Sequence, residues 1–86
     1  MFQDEMHTLG FSYMETGGGC DAWMIEKKTD NYHDQNYILI THESNVPTSR
    51  EDIVTVGFYT VEDFMPGSFD CKFADILDGK VKINIG

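Results

Sequence analysis

Bulky side chains recur at every second position along much of the chain, and that period predicts strands. In HTLGFSY, His7, Leu9, Phe11 and Tyr13 carry the bulk, while Thr8, Gly10 and Ser12 are small or polar. This is the pattern of a strand with one buried face. CDAWMIEKK, from Cys20 to Lys28, is apolar on both faces at Trp23, Met24 and Ile25, as a strand paired on both sides would be. YILIT, from Tyr37 to Thr41, is a continuous β-branched and aromatic run and predicts a second central strand. IVTVGFYTV, from Ile53 to Val61, is the strongest strand signal. Val54, Val56 and Phe58 share one face, and Ile53, Tyr59 and Val61 share the other. Gly57 falls on that second face, where a glycine marks a bulge or a close backbone approach. KVKINIG alternates Val81, Ile83 and Ile85 against Lys82 and Asn84, and predicts a last strand at a sheet edge, where lysine resists edge-to-edge association.

The connections carry turn chemistry. TDNYHDQN, from Thr29 to Asn36, is dense in turn formers and predicts a hairpin loop. HESNVPTSRED, from His42 to Asp52, is a long polar connection broken by Pro47. Ser49 and Asp52 are spaced to cap one short helical turn. Pro66-Gly67 signals another turn. SFDCKFADILDG supports two patterns. Phe69, Phe73, Ile76 and Leu77 fit one helical face with Asp70 as N-cap and Gly79 as stop, whereas Phe69, Cys71 and Phe73 fit a strand that Asp75 interrupts. Agreement between caps and period favours the helix. The expected fold is mainly β (a β-rich α+β class). It is one domain spanning 1–86, a small antiparallel meander curled into a barrel or half-barrel, with one short helix near residues 71–78.

Charge narrows the function classes. The 86 residues carry a formal net charge of -9, from 15 acidic and 6 basic side chains. Such a field repels phosphate backbones, so direct nucleic-acid binding is disfavoured and a basic protein partner fits better. No run of about 18 apolar residues exists, so no membrane span is expected. MFQDEMHTLG carries acids where a signal peptide would have a basic and then an apolar region, so a cytoplasmic location is expected, with Cys20 and Cys71 reduced.

ETGGGCDAW is the stretch closest to a chemical motif. A phosphate loop needs a lysine and a hydroxyl residue after its last glycine and then a helix. Here Gly17, Gly18 and Gly19 run into Cys20, Asp21 and a strand. The expected structure is a hairpin turn using positive φ. A reactive Cys20 needs a nearby cation or imidazolium, and His7 and His42 are the candidates that would have to approach it in space. Asp21 works against a thiolate, so a structural cysteine is the plainer reading. Asp30, Asn31, His33 and Asp34 lack the spacing of a calcium loop. The scattered histidines and cysteines do not spell a zinc site. No metal and no cofactor is implied. Aromatic residues on strands are mostly core. Trp23 and Tyr59, with the three glycines, are nonetheless the candidate binding residues, because aromatic patches mark interfaces.

The combination TGGGC, then Ile40-Thr41, Pro47 and the Val56 to Tyr59 strand, with the acidic CKFADIL stretch, resembles a loose group of small uncharacterised phage and environmental proteins. The similarity would cover roughly Tyr13 to Leu77; the apolar KVKINIG end departs from the pattern. That group has no known activity, so the resemblance implies a phage-like accessory protein in a host cytoplasm and assigns no residue a role. The sequence thus supports an acidic interaction module acting through a protein partner. A small Cys-dependent enzyme and a homo-oligomeric structural subunit are the alternatives.

Overall fold

The computed structural model describes residues 2–27, 36–60 and 67–81. The chain begins with helix α1 (Gln3–Thr8), followed by strands β1 (Ser12–Gly17), β2 (Cys20–Lys27), β3 (Asn36–Thr41), β4 (Ile53–Thr60) and β5 (Gly67–Lys72), and then helix α2 (Phe73–Leu77). The strands form one antiparallel sheet in the order β1-β2-β3-β4-β5. The meander is therefore as expected. The sheet of the described residues is not closed into a barrel: β1 and β5 stand at opposite ends of its order.

One face of the sheet builds the core. Cross-strand rows run Tyr13, Trp23, Ile40, Val56, Phe69 and Ile25, Ile38, Phe58. Both helices add to this side. Met6 of α1, Phe11, and Phe73 and Ile76 of α2 join Trp23, Ile38, Ile40, Val54 and Val56 in one buried cluster. The Trp23 ring meets His7 and Tyr13 edge-on, with centroids 5.9 Å away in each case. Its indole N–H is buried and meets no hydrogen-bond acceptor among the described residues.

Three expectations change here. His7 and Leu9 do not lie on a strand. They belong to α1 and the turn after it, which buries only Met6 and leaves Leu9 at 40% exposure. The first strand starts five residues later than its alternation suggested. The short helix expected near residues 71–78 is present as the five residues of α2, but the stretch before it, which the helical pattern also took in from Phe69, is strand β5. Asp70 is accordingly no N-cap: it lies in β5, where its carboxylate accepts from Thr55 Oγ1 at 2.9 Å. The first donors of α2 are satisfied by the loop before β4. Phe73 N–H donates to Asp52 O and Ala74 N–H to Arg50 O, both at 2.9 Å, and Arg50 ion-pairs with Asp78 at 2.7 Å. Ser49 and Asp52 do close a turn, with Thr48 and Ser49 N–H donating to the Asp52 carboxylate. The hairpin loop, except Asn36, and the strand beyond Val81 lie outside the described residues, as does Pro66 of the turn.

Candidate functional site

Strand alternation leaves a second face on which neither described helix packs. On it stand Met14 of β1, Cys20, Ala22 and Met24 of β2, Tyr37, Leu39 and Thr41 of β3, and Thr55, Gly57 and Tyr59 of β4. Small side chains fall between larger ones, so the face is hollowed into an open trough of about 550 Å³. Met14, Leu39, Tyr37 and Tyr59 give it apolar and aromatic walls, and Glu15, Thr16, Cys20, Thr41 and Ser44 give it a polar rim.

Gly57 explains the shape of one wall. The register Leu39, Gly57, Ser68 is unbroken, so Gly57 makes no bulge. It allows a close approach instead. A Cβ placed there would lie 3.0 Å from Tyr59 Cε2 and 3.2 Å from its Oη. The Tyr59 ring thus folds back along β4 over its own strand, and stacks on Tyr37 at 5.0 Å with the planes 6° apart. The bulge lies elsewhere, between Glu15 and Gly17.

Two adjoining tight turns lie beside the trough, which Cys20 and Ser44 line at that end. Gly18 and Gly19 join Gly17 to Cys20 with φ of 62° and 82°, the positive values that a primed two-residue turn requires. Open space surrounds each of these glycines, so they are needed for backbone angles and not for room. Beside them, His42 and Asn45 pair around Glu43 and Ser44, whose φ values of 50° and 70° are uncommon for residues with a Cβ. Asp21 ties the two turns together. Its N–H donates to Ser44 O at 3.2 Å, and its carboxylate accepts from Val46 N–H at 2.7 Å, Asn45 Nδ2 at 3.1 Å and the Tyr13 hydroxyl. Asn45 Nδ2 also reaches Gly19 O at 3.1 Å.

These donors, the Tyr13 hydroxyl first, hold the Asp21 carboxyl below its ordinary pKa, and the same bond raises that of Tyr13. A depressed folded-state value means that Asp21 contributes stability above its unfolded pKa of about 3.9, and that this contribution is lost as pH falls through the folded value. Asp21→Asn therefore lowers the melting temperature at neutral pH, and the gap to wild type narrows as pH drops below about 4. Parallel thermal melts across acid pH check this; a gap that stays constant would show that the carboxylate charge is not what ties the turns.

The structure separates the candidate catalytic groups. Cys20 is half-buried in the trough rim. His7 lies on the opposite side of the sheet, against Trp23. His42 turns toward β4: its Nδ1 is 2.8 Å from Ile53 O, and its Nε2 is 3.8 Å from Asp52 and 4.0 Å from Glu43. Among the described residues that line the trough there is no lysine, arginine or histidine. Cys71 lies on the core side of β5, its thiol pushed up by burial and then by Asp75 and Asp70. β2 and β5 are three strand spacings apart, about 14 Å, which is too far for a disulfide.

Of the candidate binding residues, Tyr59 lines the trough, Gly17, Gly18 and Gly19 line a separate depression with Tyr13 and Asp21, and Trp23 is 3% exposed and belongs to the core. Tyr37, one of the strand aromatics that invite a ligand-platform reading, lines the trough together with Leu39, Met14 and Ser44, which the sequence does not single out. Their signal is the phase of NYILIT: Ile38 and Ile40 face the core, so Tyr37, Leu39 and Thr41 must share the other face. No group of three or more His, Cys, Asp or Glu among the described residues is placed to hold a metal. The 30–34 loop lies outside them. No helix among the described residues is long and apolar enough to cross a membrane. No protein-family model, curated protein or solved structure matches the chain.

Proposed function

We propose that this protein is an acidic interaction module whose open sheet face receives a basic protein partner, as a small accessory protein of the phage type would in a host cytoplasm. The observation that carries the reading is the trough itself: apolar and aromatic walls on a face that neither described helix covers, in a chain of net charge -9. Exposed apolar patches with polar rims mark interfaces, and an acidic field speeds the approach of a basic partner. Among the described residues the exposed carboxylates are spread over α1, the β1–β2 hairpin, Glu26 of β2, the turn after β3, the loop before β4, β5 and Asp78 after α2, and not confined to one element as a single-faced nucleic-acid mimic would favour. The enzymatic alternative has the Cys20 thiol at the trough rim, while its two candidate bases lie elsewhere, His7 against Trp23 and His42 against Ile53.

Selection from a display library of short random peptides tests the proposal. Enriched peptides should combine lysine or arginine with apolar residues, and Leu39→Asp, which puts a charge on the trough wall, should weaken them at least about tenfold. Peptides that bind Leu39→Asp as well as wild type, or that protect α1 and α2 and not residues 37–41 from hydrogen exchange, would overturn it.

A further inference from the structure

We propose that a basic segment of the partner docks in extended form against the outer edge of β1, adding a strand to the sheet; this deepens the reading above and rests on it for the charge of the partner. The first observation is the edge itself. β1 stands at one end of the sheet order and pairs only with β2 among the described residues, so alternate backbone N–H and C=O groups on its outer side have no ladder partner there. Every residue of β1 but Met14 is exposed, Tyr13 at 46%, so the strand is open to solvent along its length. An extended segment can satisfy such a row: main-chain hydrogen bonds give affinity and alternate side chains give specificity. The opposite terminal strand is guarded. β5 ends on Lys72, which ion-pairs with Glu51 at 3.6 Å, and its Asp70 is held by Thr55. An edge lysine resists strand addition, and β1, with the sequence SYMETG, has neither lysine nor proline.

The second observation is charge. From Thr8 to Glu26 the chain contains no lysine, arginine or histidine. Glu15 stands directly opposite Asp21 in the β1–β2 register, and like charges so placed repel. The Asp21 carboxylate is engaged by the Tyr13 hydroxyl, Val46 N–H and Asn45 Nδ2. Glu15 is exposed, and among the described residues it has no hydrogen bond and no ion pair through its carboxylate. It is the open charge of this edge, and a cation on an added strand offsets its repulsion from Asp21. A second copy of the chain would instead bring another Glu15 and another net charge of -9 to the seam, so a basic segment is the better occupant. The pleat then sets the pattern of that segment. Tyr13 and Glu15 point to one face and Met14 to the other, where Met14 is a wall of the trough. An antiparallel segment therefore places arginine or lysine opposite Glu15, an apolar residue opposite Met14, continuing the trough face, and an aromatic or β-branched residue opposite Tyr13. The bulge between Glu15 and Gly17 breaks the regular register, so residues 12–15 are the length of edge on offer.

The probe is acetyl-Thr-Arg-Val-Tyr-Thr-amide, titrated to millimolar concentration into the whole chain and followed by amide chemical shifts and hydrogen exchange. Amides of residues 12–15 should shift and gain protection. Two methylated forms separate strand addition from side-chain docking, one carrying N-methyl groups at its arginine and tyrosine and the other at its valine, because successive amides of a strand point to opposite edges. One form should bind at least about tenfold more weakly than the parent and the other about as well. Replacing the arginine of the peptide by glutamate should weaken binding about fivefold, and Glu15→Lys should reverse that order. Glu15→Lys changes an exposed residue and removes a like-charged pair, so its melting temperature should not fall. No shift at residues 12–15, equal effects of the two methylation patterns, or an order unchanged by Glu15→Lys would overturn the edge assignment. Library-selected peptides that protect residues 37–41 and leave 12–15 unprotected would also overturn it, with docking on the open face still standing. If those peptides protect neither segment and bind Leu39→Asp as well as wild type, both readings fall.

Discussion

Phe73→Ala lowers the stability of this protein by about 3–5 kcal/mol, the range for truncating a fully buried aromatic ring. Phe73 is 0% exposed and meets the Phe2 ring edge-on at 5.0 Å, so it joins the start of the chain to α2. It sits in the same cluster as Met6, Ile40 and Val54. Its own N–H is held by Asp52 O at 2.9 Å, which fixes the backbone and limits how far α2 can settle into the vacated space. A site that cannot collapse pays the cavity cost in full. An 86-residue domain has a total stability on the order of 4–13 kcal/mol, so one truncation removes a large share of it. Urea titration should show a lower midpoint with an unchanged slope. A loss under about 1 kcal/mol would mean that α2 does not close the core as described.

Phe73 also shows why this end of the sequence was hard to read. It is where a period of two gives way to a helical one. Gly67, Phe69 and Cys71 alternate inward as β5, and Phe73, Ile76 and Leu77 then fall at helical spacing. Both patterns were present in SFDCKFADILDG. Five helical residues are too few to establish a period of their own, and Phe69 fits either phase, so the helix absorbed the strand. Asp75, which broke the strand pattern, was the local sign of the change. The first strand was displaced for a different reason. β1 is a terminal strand of the sheet with every residue but Met14 exposed, so hydrophobic alternation does not mark it. Its position is set by pairing with β2, from Ser12 opposite Met24 to Gly17 opposite Cys20. The neighbouring HTLGF alternated by chance of composition, with His7 and Leu9 both exposed.

The three central strands were legible because burial imposes the period that pairing uses. What the residues could not convey was how many faces are covered. A run such as YILIT reads as apolar on both sides, and a barrel or a second layer is the economical way to cover both. Among the described residues two short helices cover one face, and neither packs on the other, where the trough lies between Tyr37 and Cys20. Closure depends on whether β1 and β5 meet, a long-range property that no local pattern encodes. The glycine turn was read correctly as a turn, while its partner at Glu43-Ser44 carried no glycine to announce it. Two residues with side chains hold positive φ there because Asp21 and Asn45 fasten the turn from outside.

Gly57→Val lowers stability by about 2 kcal/mol, and the same substitution in a Tyr59→Ala background is neutral or stabilising. Even a single Cβ at position 57 would sit 3.0 Å from Tyr59 Cε2 and 3.4 Å from its Cζ, and two further methyl groups extend into the volume that the ring now fills. The ring can swing away because it ends a flexible side chain, but it then gives up its stack on Tyr37, a contact worth about 0.5–1.5 kcal/mol. Overpacking adds about 1–3 kcal/mol where the ring cannot clear the site fully. Against these costs, valine is favoured over glycine in a paired strand by up to about 1 kcal/mol, through lower unfolded-state entropy and better fit to the pleat. Without the Tyr59 ring, only that favourable part remains. The double-mutant cycle should therefore return a coupling of about 2–3 kcal/mol between positions 57 and 59, near the upper end for residues in contact. Equal costs in the two backgrounds would show that Gly57 is kept for the strand itself and not for the ring. The cycle also separates fold from function: Gly57→Val displaces Tyr59 from Tyr37 without altering any atom of Tyr37, Leu39 or Glu15. If the stacked pair forms the receiving wall of the trough, the affinity of the library-selected basic peptides falls in Gly57→Val even at temperatures where the variant is fully folded.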